Sequence, residues 1–532
     1  MVNFCVTVVV IYLVIAIYKS STWIRAYIKV TNVQNKSKRY SVKNEKLPHL
    51  FLCIPGLREQ SILQETMEYF DSFGYPKESL TIVFITTEKE NYQKNKRKKE
   101  IRDFVQKVID HPKDSSFYNN GLFSRKSIPE VILLINQNKE NPSRAYQVVE
   151  DYYQSWPTTE TLIQRILKEH KFHNKFVHLH YPETKGGKPE QLNYALQYIE
   201  QLIKDKTVEQ DRCFIGVYDF DARPDRRTGK ELENLFEERI YTKKEMPSMI
   251  QQIQLPYSNL ASFDKKSLEG LLLRGNAIMY LRRALGIEYY KYQKMNQIFY
   301  KPLCSAINVL RRPVTYGIGS GMYVSYNALK RIGDFPTPME DLATGYRISM
   351  LGEEMIPLNL FNMMEAYDSY KQMSNAGSIS FRGAFRIIKD YRLMLKLDKA
   401  HNLNKVEKFA LVVKEWGEST IWMVGNIILL LSYVYLIGKF GCTRYVPLLI
   451  APLLTRFCFD SLGLNIAMEK ICMQYEGIKL RSIKSSMGNK LLVALISPVH
   501  GVMRMIAPFM ALRYLFQTCI QKKNVEQSKT ER

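Results

Sequence analysis

No two of the eight cysteines have the C-x-x-C spacing that zinc sites and redox motifs use. They are scattered over 532 residues, which is typical of small buried side chains in a reducing compartment and argues against a metal site built from thiolates. The sequence also lacks internal repeats and low-complexity tracts, and this excludes a repeat architecture. Its length exceeds that of one small domain and is sufficient for a large core.

Acidic residues are scarce relative to basic ones. The chain has 52 Asp and Glu against 76 Lys and Arg, which gives a formal net charge of +24. Such an excess can face nucleic acid, anionic lipid or phosphorylated substrates. Apolar runs lie next to the basic clusters, so the pattern favours membrane lipids as partners and predicts no nucleic-acid partner.

Charge is absent from the N-terminal run between Val2 and Tyr18. This run is about long enough to span a bilayer, and it lacks the basic start and the small-residue cleavage site of a signal peptide. Basic residues follow it directly and mark the cytoplasmic side. We predict a transmembrane helix over 1–18, with its N-terminus outside, and a basic juxtamembrane linker over 19–46. The alternative is a buried or interfacial helix.

Apolar runs return near the C-terminus. The run over 420–438 has no charged residue and is the strongest candidate span there. Prolines and charges interrupt the last run, which predicts a broken or re-entrant hairpin or a helix on the membrane surface. We predict interfacial and transmembrane helices over 401–520 and a polar tail over 521–532. Tyrosines and basic residues crowd 281–303, which predicts a helix along the membrane surface or a wall of an acceptor groove.

Short apolar runs alternate with helical patterns between the two apolar regions. The predicted strands are "LPHLFLCIP", "LTIVFITTE", "EVILLIN" from Glu130, "KFVHLHY" and "RCFIGVYDF". A helix capped by Ser61 follows the first strand, and a solvated helix in an insertion starts near Glu88. This alternation predicts an α/β domain over 47–400 with a mostly parallel sheet, whose chemistry lies at the carboxyl ends of the strands.

Two aspartates, Asp219 and Asp221, end the last of these strands as D-x-D. Carboxylates are the ligands that Mg2+ and Mn2+ prefer, and such a cation can neutralise the diphosphate of a sugar nucleotide. The motif therefore predicts a cation held chiefly by Asp221, with Asp219 nearer the ribose or sugar. The alternative is that these aspartates only shape a turn or cap a helix.

A second acidic pair, Glu340 and Asp341, opens a predicted helix that Gly352 ends. Inverting glycosyl transfer needs a carboxylate that takes the proton of the attacking hydroxyl. The alternative is a simple cap, because acidic side chains are favourable at a helix N-terminus.

The order of these motifs resembles family 2 glycosyltransferases of the GT-A fold, in particular the membrane-bound cellulose and hyaluronan synthases. The resemblance covers 47–390 and rests on "CIPGLREQ", "ETKGGKPEQLNYAL", "DFD", "GIGSGMYVSYNAL" and "MEDLATGYRISMLG". It implies a Rossmann-like catalytic domain flanked by transmembrane helices, with Asp341 as catalytic base and Glu340 beside it. The implied donor-binding residues are Pro55, Glu59, Glu88, Lys188, Asn193 and Asp219. The implied acceptor-binding residues are Gly319, Ser320, Gly321 and Gln372.

The resemblance implies a function as well. It implies an inverting hexosyltransferase that moves a sugar from a nucleotide sugar, by family a UDP-sugar, to a glycan or lipid-linked acceptor. The reaction would use Mg2+ or Mn2+ at the cytoplasmic face of a membrane, with the plasma membrane expected, in polysaccharide biosynthesis. The alternative is a non-catalytic membrane scaffold built on the same fold.

Two departures from the family pattern change these expectations. The Asp that usually follows the second strand and holds the uracil is replaced by Glu88 or Glu90. Processive members carry Gln-x-x-Arg-Trp after the Glu-Asp helix, whereas this chain has Gln372 followed by Asn375 and Ala376. The tryptophan platform for a growing polymer is therefore missing, which favours addition of a single sugar.

Overall fold

The protein is a mixed α/β protein with one eight-stranded sheet. The computed structural model describes residues 1–33, 46–111, 122–123, 127–260, 267–303, 305–367, 369–400, 402–441, 446–477 and 487–519. The strands are β1 (His49–Pro55), β2 (Leu80–Thr87), β3 (Lys175–Tyr181), β4 (Cys213–Val217), β5 (Arg223–Pro224), β6 (Met249–Pro256), β7 (Met322–Ser325) and β8 (Met355–Met364).

The sheet has the order β3-β2-β1-β4-β7-β6-β8-β5. Its first half, β3-β2-β1-β4, is parallel throughout, as is the pair β6 and β8. The strand β7 is antiparallel to both of its neighbours, and β5 is antiparallel to β8. The predicted α/β domain with a mostly parallel sheet is therefore confirmed, and four of the predicted strands are β1, β2, β3 and β4.

Helices cover both faces of the sheet, and further helices precede β1 and follow β8 in the sequence. Those before residue 205 are α1 (Val2–Val33), α2 (Leu63–Asp71), α3 (Lys89–Lys96), α4 (Lys98–Asp110), α5 (Ile128–Gln137), α6 (Pro142–Ser155), α7 (Thr159–Glu169) and α8 (Lys188–Lys204). The next are α9 (Thr228–Tyr241), α10 (Leu268–Arg283), α11 (Tyr290–Tyr300), α12 (Ser305–Arg311), α13 (Tyr326–Ile332), α14 (Glu340–Leu351) and α15 (Tyr370–Leu397). The last are α16 (Lys405–Phe440), α17 (Val446–Thr455), α18 (Leu464–Gln474), α19 (Met487–Met503) and α20 (Ile506–Cys519).

The central strands are apolar on both faces because both faces are covered. Phe51 and Cys53 of β1 pack into a core with side chains of α8, α13 and α14. Leu50 and Leu52 point the other way, into a core with α2, α7 and α9. This alternation follows from the two-residue period of a strand, and it explains why the strand sequences read as continuous apolar runs.

One predicted strand is wrong, and so is one predicted cap. The run "EVILLIN" belongs to helix α5, because Ile128, Val131 and Ile135 have helical spacing and are all buried against α4 and α6. Apolar runs of this length fit either element, and a proline in the first turn favours the helix. Helix α2 has Ile62 at its N-cap position, without a side-chain cap from Ser61.

Among the described residues, three helical stretches are long and apolar enough to cross a membrane: Val2–Asn32, Lys405–Phe440 and Val446–Gln474. Helix α1 continues to Val33 instead of ending at Tyr18, so the first part of the predicted linker is helical. The rest of that linker, 34–45, and the tail over 521–532 lie outside the described residues. The last apolar run forms α19 and α20, which break at Arg504 and Met505 as the prolines and charges predict.

Candidate active site

The ammonium group of Lys188 joins three segments that are far apart in sequence. It donates hydrogen bonds to Asp219 Oδ1 at 2.8 Å and to the carbonyl oxygen of Gly319 at 2.8 Å. Its Nζ also lies 3.4 Å from Glu340 Oε1. The structure thus brings together residues from four of the motifs that the sequence singled out.

The chain topology explains this convergence. Asp219 lies two residues beyond the end of β4, and Lys188 is the first residue of α8. The glycine-rich loop 317–321 leads into β7, which pairs with β4, and so it passes beside the D-x-D. Helix α14 begins at Glu340, which places both acidic residues in its first turn.

Two glycines allow the loop and α14 to approach so closely. A Cβ atom on Gly345 of α14 would overlap the backbone nitrogen of Gly317. A Cβ atom on Gly319 would lie 3.1 Å from Asp341 Oδ2 and 3.3 Å from Lys188 Nζ. The glycine at 319 therefore leaves the Asp341 carboxylate and the Lys188 ammonium beside each other with no side chain between them.

Burial dominates the electrostatics of the cluster. It raises the pKa of Glu340 to about 7, and the negative charges of Asp341 and Asp219 add to this effect while Lys188 opposes it. Burial also raises the pKa of Asp341, again against the influence of Lys188. For Lys188 burial acts in the opposite direction, but the carboxylates of Asp219, Glu340 and Asp341 outweigh it and raise its pKa. The Glu340 carboxyl can therefore exchange a proton near neutral pH, while the lysine stays charged.

Asp341 is the more accessible member of the acidic pair. Glu340 is 8% exposed, whereas Asp341 is half-buried. Asp341 Oδ1 accepts a hydrogen bond from the backbone N–H of Leu342 at 2.7 Å, which fixes the carboxylate while Oδ2 faces Gly319. Of the two residues, Asp341 has the better geometry for contact with a bound hydroxyl.

The aspartates after β4 have different environments. Asp219 is half-buried and faces Lys188. Asp221 is only 3% exposed, and its Oδ2 accepts a hydrogen bond from the backbone N–H of Glu365 at 3.1 Å. Asp225 pairs with Arg227 at 2.7 Å. The prediction that Asp221 is the chief cation ligand stays a prediction.

The donor atoms at the D-x-D suit a hard divalent cation. Asp219 and Asp221 offer carboxylate oxygens with no sulfur or imidazole among them, which fits Mg2+ or Mn2+ completed by water and phosphate oxygens. In the described part of the chain, the group of three His, Asp or Glu side chains close enough to share an ion is a different one, formed by Glu88, Glu160 and His180.

The two predicted alternatives for the nucleobase contact have different roles. Glu90 is buried and accepts hydrogen bonds from the backbone N–H groups of Arg58 and Thr159, so it shapes the loop after β1. Glu88 is half-buried at the end of β2, where hydrogen bonds from Asn91 and His180 lower its pKa. Glu88 therefore remains ionised at the carboxyl ends of the strands, and of these two glutamates it is the one accessible to a ligand.

The remaining predicted residues lie around this centre. Pro55 ends β1, and Glu59 is buried with its N–H donating to Thr159 Oγ1. The Asn193 side chain makes two hydrogen bonds, each 2.9 Å long, with the backbone of Phe335. Gln372 is half-buried in the first turn of α15. None of these placements tests a contact with donor or acceptor.

Ser320 and Gly321 are buried beneath the surface of the candidate site. Ser320 is fully buried, and its Oγ accepts hydrogen bonds from Asn362 Nδ2 at 2.9 Å and from the N–H of Asp219 at 3.3 Å. Gly321 has a φ of 77°, a conformation that favours glycine. The structure therefore gives the Ser320 side chain a positioning role toward Asp219, whereas the sequence predicted a contact with the acceptor.

A buried polar network under the site is absent from the sequence-based prediction. Gln252 in β6 is fully buried, accepts a hydrogen bond from Tyr218 at 2.6 Å and donates one to Thr228 at 2.8 Å. Its neighbour Gln251 accepts a hydrogen bond from the N–H of Ile318 at 3.0 Å and so holds the glycine-rich loop. Successive glutamines in an otherwise apolar strand were the available signal, since buried amides need partners.

A buried ion cluster fixes α14 to α15. Arg347 of α14 lies 2.8 Å from Asp390, which is fully buried in α15, and Arg386 lies 3.3 Å from the same carboxylate. Arg386 also donates to the carbonyl oxygen of Pro338, just before the acidic pair. This cluster sets the position of Asp341 from a distance. The i, i+4 spacing of Arg386 and Asp390 is visible in the sequence, but the link to Arg347 is not.

No family model and no curated protein matches this chain. Among solved structures it is similar to mannosyltransferase PcManGT from Pyrobaculum calidifontis in complex with GDP-Man and Mn2+, at 12% identity over 94% of this chain and 99% of that chain, with a TM-score of 0.39. It is also similar to S. aureus TarS 1-349, at 11% identity over 87% of this chain and 91% of that chain, with a TM-score of 0.31. With TM-scores this low, the likenesses assign neither substrate nor reaction, which have to be inferred from the side chains of this chain.

Proposed function

We propose that the chain is an inverting glycosyltransferase that moves a sugar from a nucleotide sugar to a hydroxyl of a glycan or lipid-linked acceptor. The observation that supports this most is the convergence of Lys188, Asp219 and Asp341 at the carboxyl end of β4. With Glu340, one cation and three carboxylates there provide the groups that a diphosphate leaving group and a proton transfer require.

In the proposed reaction the acceptor oxygen forms a bond to the anomeric carbon of the donor sugar. The bond between that carbon and the diphosphate breaks, and the nucleoside diphosphate leaves. The hydroxyl proton passes to Asp341, which contributes roughly a hundred- to ten-thousand-fold in rate. Attack from the face opposite the leaving group inverts the configuration at the anomeric carbon.

The neighbouring residues prepare this step. Lys188 holds Asp219 in place and places positive charge where the diphosphate would lie. Glu340 shares the lysine with Asp219, and burial raises the pKa of its own carboxyl to about 7. Asp219 and Asp221 would hold a Mg2+ or Mn2+ ion, which when bound supplies charge to the leaving diphosphate.

The finer assignments follow the sequence resemblance. We place the chain with the membrane-bound family 2 enzymes, with a UDP-hexose as donor and Pro55, Glu59 and Glu88 on the nucleobase side. Asn193 would support the donor-binding helix, and Gly319 and Gln372 would border the acceptor. The positive residues after the first apolar run place the catalytic domain on the cytoplasmic side of a multi-pass protein, with the plasma membrane expected and polysaccharide biosynthesis as the process.

The experiment that tests the function is the substitution Asp341→Asn in the purified full-length protein. Nucleoside diphosphate release is measured with a panel of nucleotide sugars, together with donor affinity and melting temperature. We expect transfer to fall about a hundredfold or more while donor affinity and stability stay close to wild type. Asn caps a helix about as well as Asp, so a capping role alone predicts little change.

The matched control is Asp334→Asn, seven residues earlier on an exposed turn paired with Lys330. It should keep full activity. Equal activity of both variants would remove Asp341 from the mechanism, and no turnover of any donor by the wild type would favour the non-catalytic scaffold. Asp221→Asn adds a test of the cation: donor affinity in Mg2+ or Mn2+ that equals wild type would contradict the metal assignment.

A further inference from the structure

Basic residues gather between the site and the helices that can cross a membrane. Arg282 and Arg283 end α10, and Arg504 lies at the break between α19 and α20. Helix α10 packs against α19 so closely that a Cβ atom on Gly275 would lie 3.9 Å from Val493. Arg282 pairs with Asp460 in the candidate spanning stretch Val446–Gln474, and Arg504 lies beside Trp422 of the candidate spanning helix α16, so these arginines lie next to helices that can cross a membrane.

Two of these arginines have acidic partners. Arg282 lies 2.9 Å from Asp460. Arg283 lies 2.8 Å from Glu288, and its guanidinium also lies 5.7 Å from the ring of Tyr316. Their charges are balanced within the protein.

Arg504 has no such balance. Its guanidinium lies 5.9 Å from the ring of Trp422, and no carboxylate of the described residues lies within ion-pair distance of it. Burial, together with the positive charges of Arg283 and Arg282, lowers its pKa to about 10. A half-buried positive charge near two others lowers the stability of the fold unless an anion binds to it.

The position of this cation relates it to the candidate site. Arg283 donates a hydrogen bond to the Tyr316 hydroxyl at 3.4 Å, and Tyr316 directly precedes the glycine-rich loop that borders Asp341. Helix α20 packs along α15, where a Cβ atom on Gly377 would lie 2.9 Å from Ala507, so Arg504 lies near the start of α15, which carries Gln372. The surplus charge thus lies on the acceptor side of Asp341.

We propose that Arg504, supported by Arg283, binds the phosphate group of an acceptor carried by a membrane lipid. Guanidinium groups bind phosphate through paired hydrogen bonds, and an uncharged glycan offers no counter-ion. The exposed apolar side chains of α16, among them Ile421 and Leu431, provide a surface for the hydrocarbon chain of such a lipid. The phosphate is a binding group here, and the attacking hydroxyl belongs to another part of the acceptor. This inference rests on the proposed function for its biological role.

The test uses the full-length protein in detergent with no donor present. The probes are short-chain phosphatidic acid, the matching diacylglycerol without the phosphate, and inorganic phosphate. The variants are Arg504→Gln, Arg504→Lys and the control Arg513→Gln, whose side chain is exposed on α20. Binding and thermal stabilisation are measured for each, and UDP affinity is measured separately.

We expect wild type and Arg513→Gln to bind phosphatidic acid and not diacylglycerol, with binding about tenfold or more weaker in Arg504→Gln and intermediate in Arg504→Lys. The proposal would be overturned if Arg504→Gln bound phosphatidic acid as tightly as wild type. It would also be overturned if Arg504→Gln had a lower UDP affinity and unchanged lipid binding, because the arginine would then bind the donor diphosphate. Equal protection by inorganic phosphate would overturn the lipid part. If Arg504→Gln does not fold, lipid binding by Arg504→Lys is the test instead, and the melting temperature of that variant without ligand shows whether it is folded. Asp341→Asn should lose transfer activity and keep lipid binding. The lipid-binding result can therefore be interpreted even if the proposed function is wrong.

Discussion

Replacing Lys188 by Met removes the cation that Asp219, Glu340 and Asp341 share. Removing one partner of a buried ion pair costs about 3–5 kcal/mol, because the other charge is left in the interior. The Lys188 side chain is 24% exposed and that of Asp219 30%, so solvent reduces the loss. We expect the free energy of unfolding to fall by about 2–4 kcal/mol at pH 8.

The loss should depend on pH in a defined direction. The pKa of Glu340 in the folded protein is about 7, against an ordinary value near 4.5. A carboxyl group with such a raised pKa contributes stability at low pH and loses that contribution as the pH rises through the folded-state pKa. Without Lys188 this pKa rises further. The stability gap to wild type should therefore be small near pH 5 and largest above pH 8, while Lys188 in the wild type stays charged throughout.

Thermal unfolding of both proteins in detergent between pH 5 and pH 9 measures this gap. The control is Lys185→Met, three residues earlier and exposed, which should leave the melting temperature unchanged at every pH. A gap that is constant with pH, or no larger than that of Lys185→Met, would refute the view that Lys188 compensates buried carboxylates.

Three further results are expected. Asp390→Ala should cost about 3–5 kcal/mol in equilibrium unfolding, since it leaves two buried arginines without their carboxylate; a loss below 1 kcal/mol would contradict the ion cluster. Gly319→Ala should lower the transfer rate while the far-UV circular dichroism stays unchanged, because its methyl group would press on Asp341 and Lys188; an unchanged rate would show that the loop can yield. The transfer rate should rise with pH through about 7, because the buried Glu340 beside the Asp341 base loses its proton there, and a rate that falls over this range would argue against a carboxylate base.

Local sequence determined much of the secondary structure. Apolar runs predicted β1 to β4, and the glycines before Lys188 predicted the start of α8. The acidic pair at 340–341 does open a helix that ends at Gly352, and the prolines of the last apolar run do accompany a break. These features depend on neighbours within a few residues, through side-chain period, capping and backbone restriction, so the sequence contains them directly.

Tertiary structure decided which charges meet. The sequence contains no local sign that Arg347 pairs with Asp390, that Asp221 is buried against Glu365 or that Arg504 has no acidic partner among the described residues, whereas the i, i+4 spacing of Arg386 and Asp390 is such a sign. It also could not separate a strand from a helix in "EVILLIN", because a short apolar run fits both and only the packing of Ile128, Val131 and Ile135 against α4 and α6 selects the helix. Ion pairs and burial depend on where distant segments pack, and that position is fixed by the whole core and not by the residues next to each charge.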